Sequence, residues 1–258
     1  MNVMMIGDAV AGCGRAFLAK HLRPVKKMYE IDLCVVNGEN SANGNGITPD
    51  SARELFDAGA DVITTGNHVY RRAEVYGYLD SEPFVVRPAN YPAENPGRGY
   101  CIVDRGRYRA AVVNLCGIYY MENIENPFKT ADRILEELKN ERISLILVDF
   151  HAEATSEKKA LGFYLDGRAS VVAGTHTHVQ TSDAAVLPGG TGYITDLGMT
   201  GNYDSVLGVD KKIVIKKFTD CMPARFDTPV GPASMEGCVF ALDEKTGKCT
   251  GAQSFRIQ

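Results

Sequence analysis

The most constraining feature of this chain is a pattern repeated five times, a short apolar run that breaks off into side chains able to bind cations. The five are Met5-Ile6-Gly7-Asp8, Val35-Val36-Asn37-Gly38-Glu39-Asn40, Ile63-Thr64-Thr65-Gly66-Asn67-His68, Leu147-Val148-Asp149-Phe150-His151 and Val172-Ala173-Gly174-Thr175-His176-Thr177-His178. Each apolar run has the length and composition of a strand buried on both faces. In an open α/β sheet, ligands collect outside the carboxyl ends of parallel strands. The five polar tails are therefore expected on one edge of the sheet, however far apart they lie in sequence.

The rest of the chain fits an α/β fold. Strands are expected over residues 3–6, 31–36, 62–65, 84–86, 145–148 and 171–173. Thr48-Pro49-Asp50 opens a helix, with a capping hydroxyl, proline at the first helical position and an acid in the first turn. Pro127 and the run 131–141, apolar at Ile134, Leu135 and Leu138, predict another. Residues 12–30 are helical in pattern, with Pro24 expected to split or kink the helix. Runs at 100–103 and 110–115 flank Gly106 as a hairpin, and 237–242 and 254–257 form a second around Lys245-Thr246-Gly247. Parallel pairs at the front and antiparallel additions later predict a mixed sheet. Without a repeat, linker or low-complexity tract, residues 1–258 read as one domain.

Composition narrows the function classes. The chain has 28 basic and 32 acidic residues, a formal charge of −4, and is 45% hydrophobic. Disorder is excluded by that balance, and a duplex nucleic acid or anionic membrane would favour a basic face. No apolar stretch approaches the roughly 20 residues that span a bilayer, and residues 1–6 are too short for a signal-peptide core. A cytoplasmic location is expected. The seven cysteines form no C-x-x-C pair, so they read as reduced thiols, Cys34 in particular as core filler. Residues 7–14 have neither the dinucleotide-loop nor the P-loop spacing.

Histidine is scarce, and four of the five histidines lie in the polar tails; only His21, in a basic helical stretch, reads as surface. Asp8, Glu39, Asn40, Asn67, His151, His176 and His178 offer carboxylate, amide and imidazole donors. That is too many for one tetrahedral zinc, and the set holds no thiolate. Mixed oxygen and nitrogen donors suit two first-row divalent metals, with one carboxylate bridging. Asp149, Glu153 and Asp196 lie near enough in sequence either to orient metal-bound imidazoles or to cap turns.

The order of these motifs resembles the calcineurin-like metallophosphoesterase superfamily. More narrowly, Gly38-Glu39-Asn40, the run from Phe150 to Lys158, Gly174-Thr175-His176-Thr177-His178-Val179-Gln180-Thr181 and the run from Ile194 to Gly201 resemble the bacterial YmdB-type branch. The resemblance implies mixed sheets in a sandwich with helices on the outer faces. It implies hydrolysis of 2′,3′-cyclic nucleotides to 3′-nucleotides by activated water attacking phosphorus. Asp8, Glu39, Asn40 and His178 would hold one metal, and Glu39, Asn67, His151 and His176 the other. His68 would be the proton donor, a role suited to an imidazole because it can deliver a proton at neutral pH. Iron is the expected metal, with manganese and zinc as alternatives; the partner is a small phosphodiester, and the protein is expected to be a homo-oligomer. Alternative readings are a broad-specificity phosphomono- or diesterase, or a regulatory nucleotide sensor with slow turnover.

The sequence departs from these patterns at a few positions. Val10 stands where the wider superfamily has a histidine, and Val69 follows His68 where an acid is common. Ala11-Gly12-Cys13-Gly14 and Arg71-Arg72 also differ from the usual branch residues. These changes flank the candidate ligands without removing one.

Overall fold

The structure is a computed structural model describing residues 1–258. Along the first half the elements are β1 (Asn2–Ile6), β2 (Asp8–Ala9), α1 (Ala11–Met28), β3 (Leu33–Asn37), α2 (Pro49–Ala58), β4 (Val62–Thr64), α3 (Tyr76–Ser81), β5 (Val85–Val86), β6 (Tyr100–Asp104) and β7 (Arg109–Cys116). There follow α4 (Pro127–Asn140), β8 (Leu145–His151), α5 (Thr155–Tyr164), β9 (Val171–Thr175), β10 (Ala185–Val186), β11 (Gly192–Ile194), β12 (Met199–Asn202), α6 (Lys211–Asp220), β13 (Ala233–Leu242) and β14 (Cys249–Ile257).

The strands form two sheets. The first has the order β2-β12-β13-β1-β3-β4-β5, with β14 also on β13, and the second has the order β10-β11-β9-β8-β7-β6. In each, a parallel block lies beside antiparallel strands: β1, β3, β4 and β5 are parallel in the first, and β7, β8, β9 and β11 in the second. Both predicted hairpins form, as β6–β7 and β13–β14.

Alternation along the central strands explains the layering. Val3 and Met5 of β1 join Val112, Leu147 and Val171 in a core between the sheets, while Met4 and Ile6 face α1 and α2 through Leu18, Leu22 and Leu55. On the other sheet, Val113 and Val148 meet Ile134 and Leu138 of α4 and Leu161 of α5. With both faces covered, these strands read as unbroken apolar runs. The result is two mixed sheets packed face to face with helices outside.

Helix α2 starts as its sequence dictates. Thr48 Oγ1 accepts from the Ser51 amide at 3.2 Å, and Ser51 Oγ accepts from the Thr48 amide at 2.9 Å. Asn126 caps α4 by accepting from the Phe128 and Lys129 amides. The split expected at Pro24 does not occur, since α1 continues through it. Pro24 and Lys20, whose carbonyl loses its partner, both lie on the exposed face, while Leu18, Leu22 and Val25 hold the opposite face in the core. Water can satisfy the freed carbonyl there, so packing outweighs the missing bond.

That accommodation leaves a penalty that can be measured. Pro24→Ala is expected to raise the unfolding free energy by about 1–3 kcal/mol in urea titration, less whatever the unfolded chain gains in entropy. No gain would mean that the helix has already absorbed the proline ring.

Candidate metal centre

The five polar tails do converge, but on the seam between two sheets. Asp8, Glu39, Asn40, Asn67 and His68 follow strands of the first sheet; His151, His176 and His178 end strands of the second. The expected single sheet edge is therefore corrected to two edges, brought together because both parallel blocks end on the same side of the sandwich.

The contacts are close. His151 Nε2 lies 3.2 Å from Glu39 Oε1, 3.1 Å from Asn67 Oδ1 and 3.0 Å from His176 Nδ1. Asp8 Oδ1 lies 3.5 Å from His178 Nε2, and Asp8 Oδ2 accepts from the His176 amide at 3.1 Å. Asn40 Nδ2 donates to Glu39 Oε1 at 3.0 Å and lies 3.1 Å from His178 Nε2. Its oxygen faces His68 Nδ1 at 3.0 Å, so presenting that oxygen to a cation requires the amide to turn over. His68 Nδ1 is also 3.2 Å from Glu39 Oε1, and its side chain is 28% exposed.

The surrounding hydrogen bonds assign the imidazole protons. Thr175 Oγ1 donates to Asp149 Oδ1 at 2.7 Å, so at 2.9 Å from His151 Nδ1 it can only accept. His151 therefore carries its proton on Nδ1. His176 Nε2 faces the Glu153 carboxylate at 3.1 Å, and His178 Nδ1 faces the Leu207 carbonyl at 3.0 Å. All three rings thus donate outward and turn a lone pair inward, the arrangement that outer acceptors impose on metal-binding histidines. Asp149 and Glu153 both act as such orienting acceptors, Asp149 through Thr175. Thr175 was visible only as part of the Gly174–His178 motif, because a threonine beside a ligand carries no signal of its role until its partner Asp149 is known.

The inward-facing atoms fit a cation. His151 Nε2 meets a carboxylate oxygen, an amide oxygen and a second imidazole nitrogen, none with a proton to offer. Glu39, His151 and His176 donor atoms lie within 4.8 Å of one another. Asp8 is fully buried, and its Oδ1 has no hydrogen-bond partner. Gly66 leaves the space open, since a Cβ there would overlap Glu39 Oε2 and His151 Nε2.

Electrostatics agrees with this geometry. Burial opposes ionisation of Glu39, yet His151 and His68 outweigh it and hold the carboxyl well below its usual range. Burial also disfavours a charged His178, but Asp8 and the Leu207 carbonyl hold it at about 9. Burial, with His151 beside it, drops His176 to about 3. Burial likewise opposes a charged His151, but Glu39 and Asp8 raise it. In the cation-free chain a second proton on His151 and on His178 therefore occupies the lone pair that the neutral ring turns inward, and cation binding should release it.

The departures in sequence are taken up by packing. Val10 is buried against Met199, and Val69 lies in the core beneath the first sheet. Neither position faces the centre with a polar group.

Two mixed sheets thus meet at a seam whose donors could hold a cation. The model of the YmdB-like protein family matches residues 4–255, and the chain belongs to that family. A Bacillus subtilis (strain 168) protein named 2′,3′-cyclic-nucleotide 2′-phosphodiesterase is 44% identical over 257 residues, covering 100% of this chain and 97% of the relative. The crystal structure of a novel phosphatase from Mycoplasma pneumoniae superposes with a TM-score of 0.94 at 30% identity, covering 100% of this chain and 93% of that one. A 5′-nucleotidase precursor from Thermus thermophilus, 13% identical with a TM-score of 0.61, shares the fold across 100% of this chain and 54% of its own length. No helix is long and apolar enough to cross a membrane.

Two outcomes follow from the geometry. Gly66→Ala should leave the fold intact and strip the centre of metal, read as metal content per chain; full occupancy would show that the cleft is wider than it looks. Burial pushes Asp149 up to about 6, against the hydrogen bonds from Thr64 and Thr175 that favour its charge. An acid with a raised folded pKa binds its proton more tightly when folded, so stability falls as pH rises from about 4 to about 6. In chelator-treated protein, unfolding free energy relative to Asp149→Asn should decline across that window. Parallel pH curves would contradict it.

Proposed function

We propose that the protein is a binuclear metal-dependent phosphodiesterase that opens 2′,3′-cyclic nucleotides to 3′-nucleotides. The observation that carries this reading is the inward convergence of three imidazole lone pairs on the buried carboxylates Asp8 and Glu39. The full-length likeness to the Bacillus subtilis relative supplies the substrate class. Asp8, Glu39, Asn40 and His178 would hold one divalent cation, and Glu39, Asn67, His151 and His176 the second, with Glu39 between them. Iron is the expected metal, with manganese or zinc accepted by the same donors. Two such cations would supply Lewis-acid stabilisation to a phosphoryl group and lower the pKa of water.

The chain's own residues do the rest. Asp149, Glu153 and the Leu207 carbonyl hold the imidazoles in the tautomers that leave lone pairs inward. Once the Asn40 oxygen turns to the cation, Glu39 Oε1, 3.2 Å from His68 Nδ1, is the acceptor that fixes the part-exposed ring and leaves Nε2 free. As water adds to phosphorus, the bond to the 2′ oxygen breaks, and His68 gives its Nε2 proton to that oxygen. The phosphate stays on the 3′ oxygen. A cytoplasmic enzyme acting on a small phosphodiester, and assembling as a homo-oligomer, completes the reading.

Purified protein with Mn²⁺ and 2′,3′-cyclic AMP should yield 3′-AMP, and two equivalents of metal should copurify per chain. Absence of phosphoester cleavage under every divalent metal would sink the proposal. Faster hydrolysis of monoesters than diesters would favour a phosphatase instead, in keeping with the Mycoplasma pneumoniae neighbour. His68→Ala should lower kcat by about 10²–10⁴-fold with metal content unchanged. An unchanged kcat would remove His68 from the reaction.

A further inference from the structure

The turn that carries His176 and His178 is held in an unusual conformation. Both histidines have positive φ, 99° and 62°, a region that side-chain-bearing residues rarely occupy and that persists only when the surroundings over-determine it. The surroundings here are a buried ion pair. Lys158, projecting from α5, and Asp196, which follows β11, are each 1% exposed, and Lys158 Nζ donates to Asp196 Oδ2 at 2.6 Å.

That pair grips the turn at the two peptide groups that flank His176. Lys158 Nζ also donates to the Thr175 carbonyl at 2.7 Å, immediately before His176. Asp196 Oδ2 accepts from the Thr177 amide at 3.1 Å and from Thr177 Oγ1 at 2.7 Å, between the two histidines. Asp196 Oδ1 is fixed in turn by the Gly198 amide at 2.9 Å. The arrangement is tight as well as polar, because a Cβ at Gly174 would overlap the Thr195 carbonyl. A buried ion pair is commonly no more stabilising than well-packed apolar residues. Apolar residues, however, could not accept from the Thr177 amide or donate to the Thr175 carbonyl.

We propose that Lys158 and Asp196 are positioning residues that set the His176–His178 turn and thereby the affinity of the centre for divalent cations. This rests on the reading that those histidines hold metal. Neither residue touches the cations' place directly. Their effect passes through Thr175 and Thr177 to the two imidazoles on either side.

The test is calorimetric titration of Mn²⁺ into the chelator-stripped full chain. Thr177→Val removes one hydroxyl bond to Asp196 without stranding a buried charge, and Lys158→Met with Asp196→Leu replaces the pair by apolar groups. Both are expected to weaken Mn²⁺ binding by about 10–100-fold, the usual effect of losing outer partners of metal ligands. Thr177→Ser, which keeps the hydroxyl, should restore wild-type affinity. Lys159→Ala, which removes the neighbouring surface pair with Asp183 (3.2 Å) and the ammonium over the Tyr193 ring, should leave it unchanged. Folded variants that bind Mn²⁺ as tightly as wild type would overturn the proposal and leave the metal reading standing. Should the double variant fail to fold, the Thr177 pair decides alone. A wild-type chain that binds no Mn²⁺ would overturn both.

Discussion

The structure depends on the burial of two carboxylates, Asp8 and Glu39, where no lysine or arginine reaches them. Isolated charges in such a place are unfavourable by several kcal/mol or more, so something cationic must accompany them. In the metal-free chain that role falls to protons on His151 and His178. The same lone pairs accept divalent cations once the protons leave. Everything nearest the centre serves this exchange, since each imidazole has an acceptor behind it that fixes which nitrogen faces in.

The two-sheet sandwich is what makes that burial feasible. A single parallel sheet can present a row of strand ends, but only along a line. Two sheets packed face to face bring two such rows together. Glu39 after β3 then meets His151 at the end of β8 across the seam, at 3.2 Å. The covering helices keep the strands in a water-poor interior, which strengthens every charge interaction at their ends. A formal charge of −4 is no obstacle to a phosphate ligand in such a place, because the cations that the donors fit would add positive charge where the phosphate sits.

Much of this was legible along the chain, for identifiable reasons. Strand ends such as Ile63 to His68 announce themselves because a doubly buried strand must be apolar throughout and its polar tail has no structural need to be there. The capped start of α2 was legible for a similar reason, since Thr48, Pro49 and Ser51 act within one turn. The split expected at Pro24 does not form, because a local rule about proline ignores what lies on the two faces of the helix. The short strands β10 to β12 carried no signal, being two to four residues long and defined by their neighbours.

The sequence by itself determined the inventory: which donors exist, that they follow apolar runs, and that their spacing resembles one family. Residue types and periodicity are local properties, and they survive reading in one dimension. Tertiary structure alone decided that two sheet edges meet, that the Asn40 amide turns its nitrogen to Glu39, and that Thr175 and the Lys158–Asp196 pair stand behind the histidines. Those facts join residues such as Asn37 and Asp149, which are 112 positions apart in the chain yet 3.0 Å apart in space. Hydrogen bonds act over a few ångströms, and only the folded chain fixes which groups come that close.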